Sequence, residues 1–242
     1  MDAITIKGLT KRYGDILAVD GLSLSVAEGE LLSLLGVNGA GKTTTIKMLC
    51  CLSSPTEGDA LLFGKSIRAD TGEVKAMIAH SPQETAVAPG LTVRENLELI
   101  AGVHGFRGAL RSEKIEELVA LMGLIEVIDR RAGKLSGGWQ RRLSIAMALI
   151  SEPKILFLDE PTLGLDVIAR SELWDIIRSL KGRVTIVLTT HYMEEAEALS
   201  DRIAIMRDGR LLVLDTAEKI KQMAGTDSFE EAFIRIVKGV SE

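Results

Sequence analysis

Gly36-Val37-Asn38-Gly39-Ala40-Gly41-Lys42-Thr43 is the stretch of this sequence that decides the fold. It fits the phosphate-loop (P-loop) pattern G-x-x-x-x-G-K-[ST], and it lies between an apolar run at residues 31–35 and a helical segment at residues 43–51, as that pattern requires. The glycines let backbone N–H groups curl around phosphates at a helix N-terminus, where the helix dipole also favours anions. Lys42 is then expected to reach the phosphates and Thr43 the magnesium ion. Because strand, helix, lysine and threonine are all in register, the segment predicts a nucleotide site rather than a glycine-rich turn without a ligand.

Length and composition predict one catalytic unit with a large core. A chain of 242 residues can form one large domain, or a core with a smaller lobe attached. Hydrophobic residues make up 46% and charged residues 26%, as in ordinary globular proteins, which argues against disorder. Cys50 and Cys51 are adjacent in an apolar helical segment, so they predict two buried small side chains rather than a disulfide framework or a metal site.

Several classes of partner and location are disfavoured by the sequence. Its longest apolar runs, at residues 31–37 and 145–150, are far shorter than the roughly 20 residues that cross a bilayer. The start MDAITIKG lacks the basic and apolar regions of a signal peptide. The net charge is −5 and the lysines and arginines are dispersed, so we expect no nucleic-acid partner. We therefore predict a cytoplasmic chain.

Hydrophobic periodicity predicts a parallel α/β core with an antiparallel flap. Residues 4–7 and 22–26 alternate between apolar and polar side chains, which is typical of half-buried antiparallel strands. Residues 31–35 form a continuous apolar run, which is typical of a central strand covered on both faces. Three further segments are predicted to be central strands of the same sheet: residues 75–80, 155–159 and 184–189. The dipeptide Asp208-Gly209 is predicted to be a hairpin turn.

After Gln83 and up to about Ser151, the pattern of apolar and polar residues becomes that of amphipathic helices. Residues 93–101 and 112–121 have apolar side chains three and four positions apart, so we predict an inserted helical lobe. The predicted division of the chain is a core at residues 1–83 and 152–216, a helical subdomain at 84–151 and C-terminal helices at 217–242.

Two adjacent carboxylates close the apolar segment ILFLDE at residues 155–160. At the end of such a strand, Asp159 is expected to hold the magnesium shell and Glu160 to polarise an attacking water. A solvated acidic turn is the alternative. Pro161 and the buried strand favour the first interpretation, because they keep Glu160 at the edge where open α/β sheets bind ligands.

The segment LSGG at residues 135–138 opens a helix whose apolar Leu143, Met147 and Ile150 follow helical spacing. Ser136 is predicted to be its N-cap. Taken alone, Ser-Gly-Gly is as consistent with an ordinary helix start as with a phosphate contact.

These motifs occur in a known order and spacing over essentially the whole chain. They are the P-loop, Gln83 after an apolar strand, LSGG, ILFLDEP at residues 155–161, GLD at residues 164–166, and His191 after TIVLTT. The chain resembles the nucleotide-binding subunit of an ABC transporter. The resemblance implies an α/β fold: a P-loop NTPase core with a mostly parallel central sheet, an N-terminal antiparallel β subdomain and an inserted α-helical subdomain.

The resemblance also implies a shared site for ATP and Mg²⁺. In the family two subunits pack head to tail, and each ATP lies between the P-loop of one and the LSGG helix of the other. By the same resemblance Tyr13 stacks on adenine, Gln83 senses magnesium and the attacking water, Asp166 crosses the seam and His191 contacts the γ-phosphate. The predicted catalytic residues are Glu160, His191, Gln83 and Lys42, the predicted magnesium ligands are Thr43, Gln83 and Asp159, and the predicted nucleotide contacts are Tyr13, Val19, Gly36, Asn38, Gly39, Ala40, Gly41, Lys42, Thr43, Thr44, Ser136, Gly137, Gly138 and Asp166.

The chain departs from the family at Trp139, where glutamine commonly follows LSGG. The contacts of Ser136 and Gly138 with a partner's ATP are expected to survive this change. Trp139 is free to pack or to touch the neighbouring subunit.

Softer motifs indicate a branch of the family. The segments at residues 36–49, 91–99, 190–197 and 228–239 resemble the exporter subunits of drug-resistance and sodium-efflux type. That branch implies ATP hydrolysis coupled to export through a separately encoded membrane permease, with the chain a homodimer, or paired with a homologous subunit, on the inner face of the cell membrane. The alternatives are a non-transport ABC ATPase for assembly or repair, a soluble partner in cofactor assembly, and a P-loop metabolic kinase.

Overall fold

The computed structural model describes residues 1–239, which form two β-sheets with helices around them. The strands are β1 Asp2–Tyr13, β2 Ile16–Ala27, β3 Leu31–Leu35, β4 Glu57–Leu62, β5 Lys65–Ser66, β6 Ile78–Ser81, β7 Ile155–Asp159, β8 Thr185–Thr190, β9 Arg202–Arg207 and β10 Arg210–Asp215. The α-helices are α1 Lys42–Leu49, α2 Thr71–Met77, α3 Val93–Val103, α4 Gly108–Leu121, α5 Gly137–Leu149, α6 Val167–Leu180, α7 Met193–Leu199, α8 Ala217–Ala224 and α9 Phe229–Lys238. Residues 240–242, the end of the predicted C-terminal segment, lie outside the described residues.

The larger sheet has the strand order β10-β9-β3-β8-β7-β6, and its neighbours from β9 to β6 are parallel. Every residue of β3 and of β7 is buried, because helices or the second sheet cover both faces. The predicted mostly parallel sheet is confirmed. Since parallel strands end at the same edge, the loops that follow β3, β6, β7 and β8 all emerge on one side.

Alternate residues of these strands serve two different cores. Leu32, Leu34 and Phe157 pack with α1 against the smaller sheet. Leu31 and Leu156 pack on the opposite face against α3 to α6. The sheet therefore separates an antiparallel β layer from the helical segment, and both layers hold the P-loop edge in place.

The smaller sheet has the order β2-β1-β4-β5 and is antiparallel throughout. Ile4 pairs with Val26 and Ile6 with Leu24, and these four side chains are buried. The alternation read from the sequence thus places one face of the flap on the core, as predicted.

Two strand predictions need correction. The strand predicted at residues 75–80 begins only at Ile78, because residues 75–77 close α2, where Val74 and Met77 lie three apart on one apolar face. β6 is also an edge strand rather than a central one. The strand predicted at residues 184–189 is shifted by one, since the Val184 N–H still donates to Leu180 O in the turn after α6.

The helices predicted at residues 93–101 and 112–121 are confirmed as α3 and α4, both somewhat longer. Thr92 and Glu95 form a reciprocal capping box at the start of α3. The buried Asn96 side chain accepts a hydrogen bond from the Ala88 N–H and donates to the carbonyls of Ala88, Leu91 and Thr92. These hydrogen bonds fix the loop that follows Gln83. Among residues 1–239, no helix combines the length and the apolar character that crossing a bilayer requires.

The two cysteines lie just beyond α1, which ends at Leu49, and not inside the helix as predicted. Cys50 is buried in the core shared with the small sheet, and burial raises the pKa of its thiol. The hairpin turn at Asp208-Gly209 is confirmed, and both residues have the positive φ that its geometry needs.

Candidate nucleotide-binding site

The P-loop joins the end of β3 to the start of α1 and is tightly packed. A Cβ at Gly41, whose φ is +96°, would lie 2.5 Å from Ala18 O, and a Cβ at Gly36 would lie 2.4 Å from Met206 O. Glycine is therefore the residue that fits both positions without moving backbone. The N-terminus of α1, with its free N–H groups, opens directly after this loop.

A cleft of about 810 Å³ adjoins the P-loop. Gln83 follows β6, Glu160 follows β7 and His191 follows β8, so the parallel register brings all three to the loop. The residues that line the cleft are Ile16, Leu17, Ala18, Asn38, Gly39, Ala40, Gly41, Lys42, Thr43, Thr44, Gln83, Glu160, Leu163, His191 and Asp208.

Lys42 is 5% exposed and sits inside the loop. Its Nζ donates to Gly36 O at 2.7 Å and to Val37 O at 3.2 Å, and it lies 3.8 Å from Glu160 Oε1. Burial lowers the pKa of Lys42, and the nearby Glu160 and Asp159 carboxylates oppose that effect. The ammonium is thus held where loop oxygens and a carboxylate surround it.

Asp159 and Thr43 form an oxygen donor set beside Lys42. Thr43 Oγ1 donates to Asp159 Oδ1 at 3.1 Å, and the Thr189 hydroxyl donates to the same oxygen. Within residues 1–239, no group of three or more His, Cys, Asp or Glu could hold a metal ion. One carboxylate and one hydroxyl at a phosphate loop fit Mg²⁺, which takes few protein ligands and completes its shell with water and substrate phosphates.

Glu160 is 9% exposed and has a left-handed backbone with φ of +46°. Its N–H donates to Thr189 O and Oγ1, and its carbonyl accepts from Arg141. Its Oε2 lies 3.2 Å from His191 Nδ1. A non-glycine residue in this conformation costs about 1–3 kcal/mol and persists only where its surroundings fix it. Glu160 is therefore a rigidly held carboxylate and not a solvated turn residue.

Three further predicted contacts, Ser136, Gly138 and Asp166, line a second, separate cleft of about 340 Å³ at the start of α5 and α6. Ser136 occupies the N-cap position of α5, but its hydroxyl makes no capping bond, so the predicted side-chain cap is absent. Gly137 follows it, and Gly138 lies so close to α6 that a Cβ would be 3.0 Å from Ala169 Cβ. Asp166 is the N-cap of α6 and accepts from the N–H groups of Ile168 and Ala169.

The model of the ABC transporter family matches residues 19–163 of the chain, from β2 through the P-loop to the turn after Glu160. The chain belongs to the ABC transporter family. ABC ATPases bind ATP or ADP.

Named relatives agree with the family. The chain is 41% identical over 226 residues to the daunorubicin/doxorubicin resistance ATP-binding protein DrrA of Streptomyces peucetius, which covers 93% of this chain and 68% of that protein. It is 39% identical over 241 residues to the probable multidrug ABC transporter ATP-binding protein YbhF of Escherichia coli (strain K12), covering 97% of this chain. The chain spans only 41% of the length of YbhF.

Solved ABC structures share the fold. An ATP-binding subunit of an ABC transporter superimposes with a TM-score of 0.85 at 27% identity, covering 97% of this chain and 99% of that one. The ATP-binding cassette MJ0796, a dimeric structure of a post-hydrolysis state bound to ADP and Pi, superimposes with a TM-score of 0.78 at 29% identity, covering 88% of this chain and 98% of that one.

Sequence reasoning missed Arg141 of this ABC domain. The side chain is 3% exposed, and its guanidinium donates to Pro82 O, Gln83 O and Glu160 O. It therefore ties the segment after β6 to the segment after β7. In the sequence, Arg141 is marked only by its position beside the apolar face of α5. Arginines in such positions are too common to indicate a functional site.

Three predicted nucleotide contacts near the P-loop, Gly36, Val19 and Tyr13, are not among the residues that line the ABC cleft. Val19 is fully buried and packs against the P-loop. Its Cγ2 atom would lie 3.3 Å from a Cβ placed on Gly41. Tyr13 is 47% exposed, with Lys11 Nζ 4.8 Å from its ring centroid. Leu17 and Asp208, which were not predicted to be nucleotide contacts, also line the cleft.

Trp139, the departure from the ABC pattern, lies on the rim of the second cleft. The Arg142 guanidinium stacks 4.8 Å from the Trp139 ring centroid and pairs with Glu172. The Gln140 amide donates to Ala132 O and Leu135 O, so it fixes the turn before the helix rather than facing the cleft.

We predict that Gly41→Ala weakens ATP binding about tenfold or more, because the new Cβ clashes with Ala18 O and the backbone φ is strained. Titration with a fluorescent ATP analogue measures this. Gly72→Ala is the matched control, since its Cβ meets nothing within 4 Å. Equal affinity of Gly41→Ala and wild type would contradict the assigned role of the loop.

Proposed function

We propose that this chain binds Mg²⁺-ATP in the P-loop cleft, hydrolyses it, and drives export through a membrane permease on a separate polypeptide. The observation that carries the proposal is the convergence of Lys42, Glu160 and His191 at the P-loop, with a 3.8 Å and a 3.2 Å separation on either side of the Glu160 carboxylate. Glu160 and His191 directly follow β7 and β8, and Lys42 begins α1 after the loop that leaves β3, so the parallel sheet sets the arrangement.

Each side chain has a distinct part in the proposed hydrolysis. The loop N–H groups and Lys42 bind the phosphates, and Thr43 and Asp159 hold Mg²⁺. When bound, Mg²⁺ neutralises charge on the phosphate oxygens. Glu160 polarises the attacking water and accepts its proton. Lys42 Nζ lies 3.8 Å from Oε1 of that carboxylate, and His191 Nδ1 lies 3.2 Å from its Oε2.

Gln83 and His191 complete the P-loop side. Gln83 follows the edge strand with its backbone carbonyl held by Arg141, so its exposed side chain faces the cleft from a fixed point and orients water and magnesium. His191 lies against Glu160 through Nδ1 and stabilises negative charge that develops on the γ-phosphate. Tyr13 and Asn38 are the proposed contacts on the nucleoside and phosphate sides.

Two copies complete the site head to tail. Ser136, Gly138 and Asp166 lie in a cleft of their own, apart from the P-loop of the same chain. The Ser136 hydroxyl makes no capping bond in its own helix, which leaves it available to donate a hydrogen bond to a phosphate oxygen across the seam. A helix N-terminus also favours that anion. A homologous subunit can take the place of the second copy.

The family also suggests how the chain is divided into subdomains and which partner it has. We propose a core at residues 1–83 and 152–216, a helical subdomain at 84–151 that the permease contacts, and a C-terminal segment at 217–242 whose helices are α8 and α9. The names of DrrA and YbhF favour drug-like cargo, and a permease partner places the chain on the inner face of the membrane. The metabolic-kinase alternative is excluded by the family match.

Glu160→Gln is expected to keep ATP affinity and to lower phosphate release about 100-fold or more, since the amide cannot accept the proton. With Mg²⁺-ATP bound and not turned over, the variant should elute as a dimer on gel filtration. Glu116→Gln, an exposed carboxylate of α4, is the control with wild-type turnover. Hydrolysis by Glu160→Gln at the wild-type rate would remove Glu160 from the role of base.

The permease partner is tested by affinity purification of the tagged chain from detergent-solubilised native membranes. We expect a polytopic membrane protein to co-purify, and Arg94→Glu in the helical segment to reduce its yield severalfold, because Arg94 is exposed at the start of α3. Lys7→Glu on the exposed face of β1 is the charge-matched control. Unchanged recovery with Arg94→Glu defeats the docking assignment, and recovery of soluble complexes alone supports the non-transport alternative.

A further inference from the structure

The Nδ1 atom of His191 has no hydrogen bond that would fix the orientation of the imidazole. This atom is buried and lies 3.2 Å from Glu160 Oε2, but among residues 1–239 it makes no hydrogen bond of normal geometry. A catalytic ring works only while it keeps its place beside the reacting groups. The orientation of the imidazole therefore depends on what packs against the ring.

The Tyr192 ring packs against this imidazole. The ring centroids of His191 and Tyr192 are 4.2 Å apart, and the ring planes are tilted by 38°. Tyr192 is held at its backbone, because its N–H donates to Thr190 Oγ1 at 2.9 Å where β8 ends and α7 is about to begin. Aromatic rings attract each other in such tilted contacts. The Tyr192 ring thus limits the positions that the imidazole can take.

Arg170 of α6 lies against the same tyrosine ring. Its guanidinium carbon Cζ is 4.6 Å from the Tyr192 ring centroid, which is within the range of a cation–π contact. Arg170 Nε is buried and has no hydrogen-bond partner of normal geometry in the described part of the chain, so the guanidinium depends on its contact with the ring. A line of contacts therefore runs from α6 through Arg170 and Tyr192 to His191.

We propose that Tyr192 is a positioning residue for His191, and that Arg170 holds the Tyr192 ring in place. Neither Tyr192 nor Arg170 is among the residues that line the P-loop cleft, so both act through the imidazole and not through the nucleotide. The ring contact keeps the imidazole beside the Glu160 carboxylate, and the guanidinium ties that contact to α6.

This inference rests on the proposed hydrolysis, and it predicts more than packing alone would. If the Tyr192 ring only packed the start of α7 against α6, its loss would lower the free energy of unfolding and leave the kinetics of the folded enzyme unchanged. A residue that positions a catalytic group instead lowers kcat, because a misplacement of about 1 Å can cost about 100-fold in rate. Nucleotide affinity should be kept, since the P-loop is untouched.

The first test measures phosphate release against ATP concentration for Tyr192→Leu and Tyr192→Phe in the full chain. We expect Tyr192→Leu to lower kcat about tenfold with KM within about threefold, because leucine offers no flat face to the imidazole or to the guanidinium. Tyr192→Phe keeps the ring and should stay within about twofold of wild type.

Arg170→Met is expected to lower kcat about threefold or more, because the Tyr192 ring then loses the guanidinium that holds it. Arg178→Met is the matched control. It removes the same charge from an exposed position of the same helix, and its kcat should equal that of wild type.

A second test uses the His191→Ala background to separate positioning from an independent effect. If Tyr192 acts through the imidazole, adding Tyr192→Leu to His191→Ala causes no further fall in the residual kcat. A further fall of about tenfold, as in the chain that has His191, would overturn the inference.

A folded Tyr192→Leu protein with wild-type kcat would also contradict the inference, as would a Tyr192→Phe protein as slow as Tyr192→Leu. If Tyr192→Leu does not fold, Arg170→Met tests the same contact from α6, and wild-type kcat in that folded variant refutes the inference. Failure of the proposed function is distinguishable, because wild type would then release no phosphate from ATP, or His191→Ala would release it at the wild-type rate.

Discussion

The structure depends on the position of one carboxylate. Glu160 lies between the Lys42 ammonium and the His191 imidazole, and it is held there by a left-handed backbone that bonds to Thr189 and Arg141. Glu160 and His191 directly follow β7 and β8, Lys42 opens α1 after the P-loop, and Arg141 lies in α5. The parallel sheet brings these segments to one edge, and the packing of both cores against the sheet holds Lys42 and His191 beside the Glu160 carboxylate.

The same fold keeps the second half of the proposed site away from the first. The helix tips that carry Ser136 and Asp166 open into their own cleft, with Trp139 stacked on Arg142 at its rim. A single chain therefore presents the P-loop in one cleft and the helix starts at Ser136 and Asp166 in another. In the proposed dimer, ATP is the element that joins the two surfaces, so nucleotide binding and association of the subunits are one event.

Much of this could be predicted from the sequence because the decisive features are local. The P-loop, the carboxylates after β7 and the helix at Ser136 are encoded in short segments whose neighbours fix their conformation, and the apolar alternation in β1 and β2 reports burial directly. What could not be predicted depends on contacts between distant segments. Arg141 looks like an ordinary helical residue until folding places its guanidinium against the carbonyls of Gln83 and Glu160. The predicted strand at residues 75–80 was wrong for a related reason, since a short apolar segment fits helix and strand equally until the sheet edge is known.

The central claim is that one copy grips the triphosphate while the helix tip of another closes the far side. The most direct measurement is a crystal structure of the Glu160→Gln chain with Mg²⁺-ATP. The account predicts Lys42 of one copy and Ser136 of a second copy both within about 3 Å of the same γ-phosphate, with residue 160 facing the water-attack side. A γ-phosphate bound to Lys42 with every Ser136 hydroxyl facing bulk solvent would contradict it.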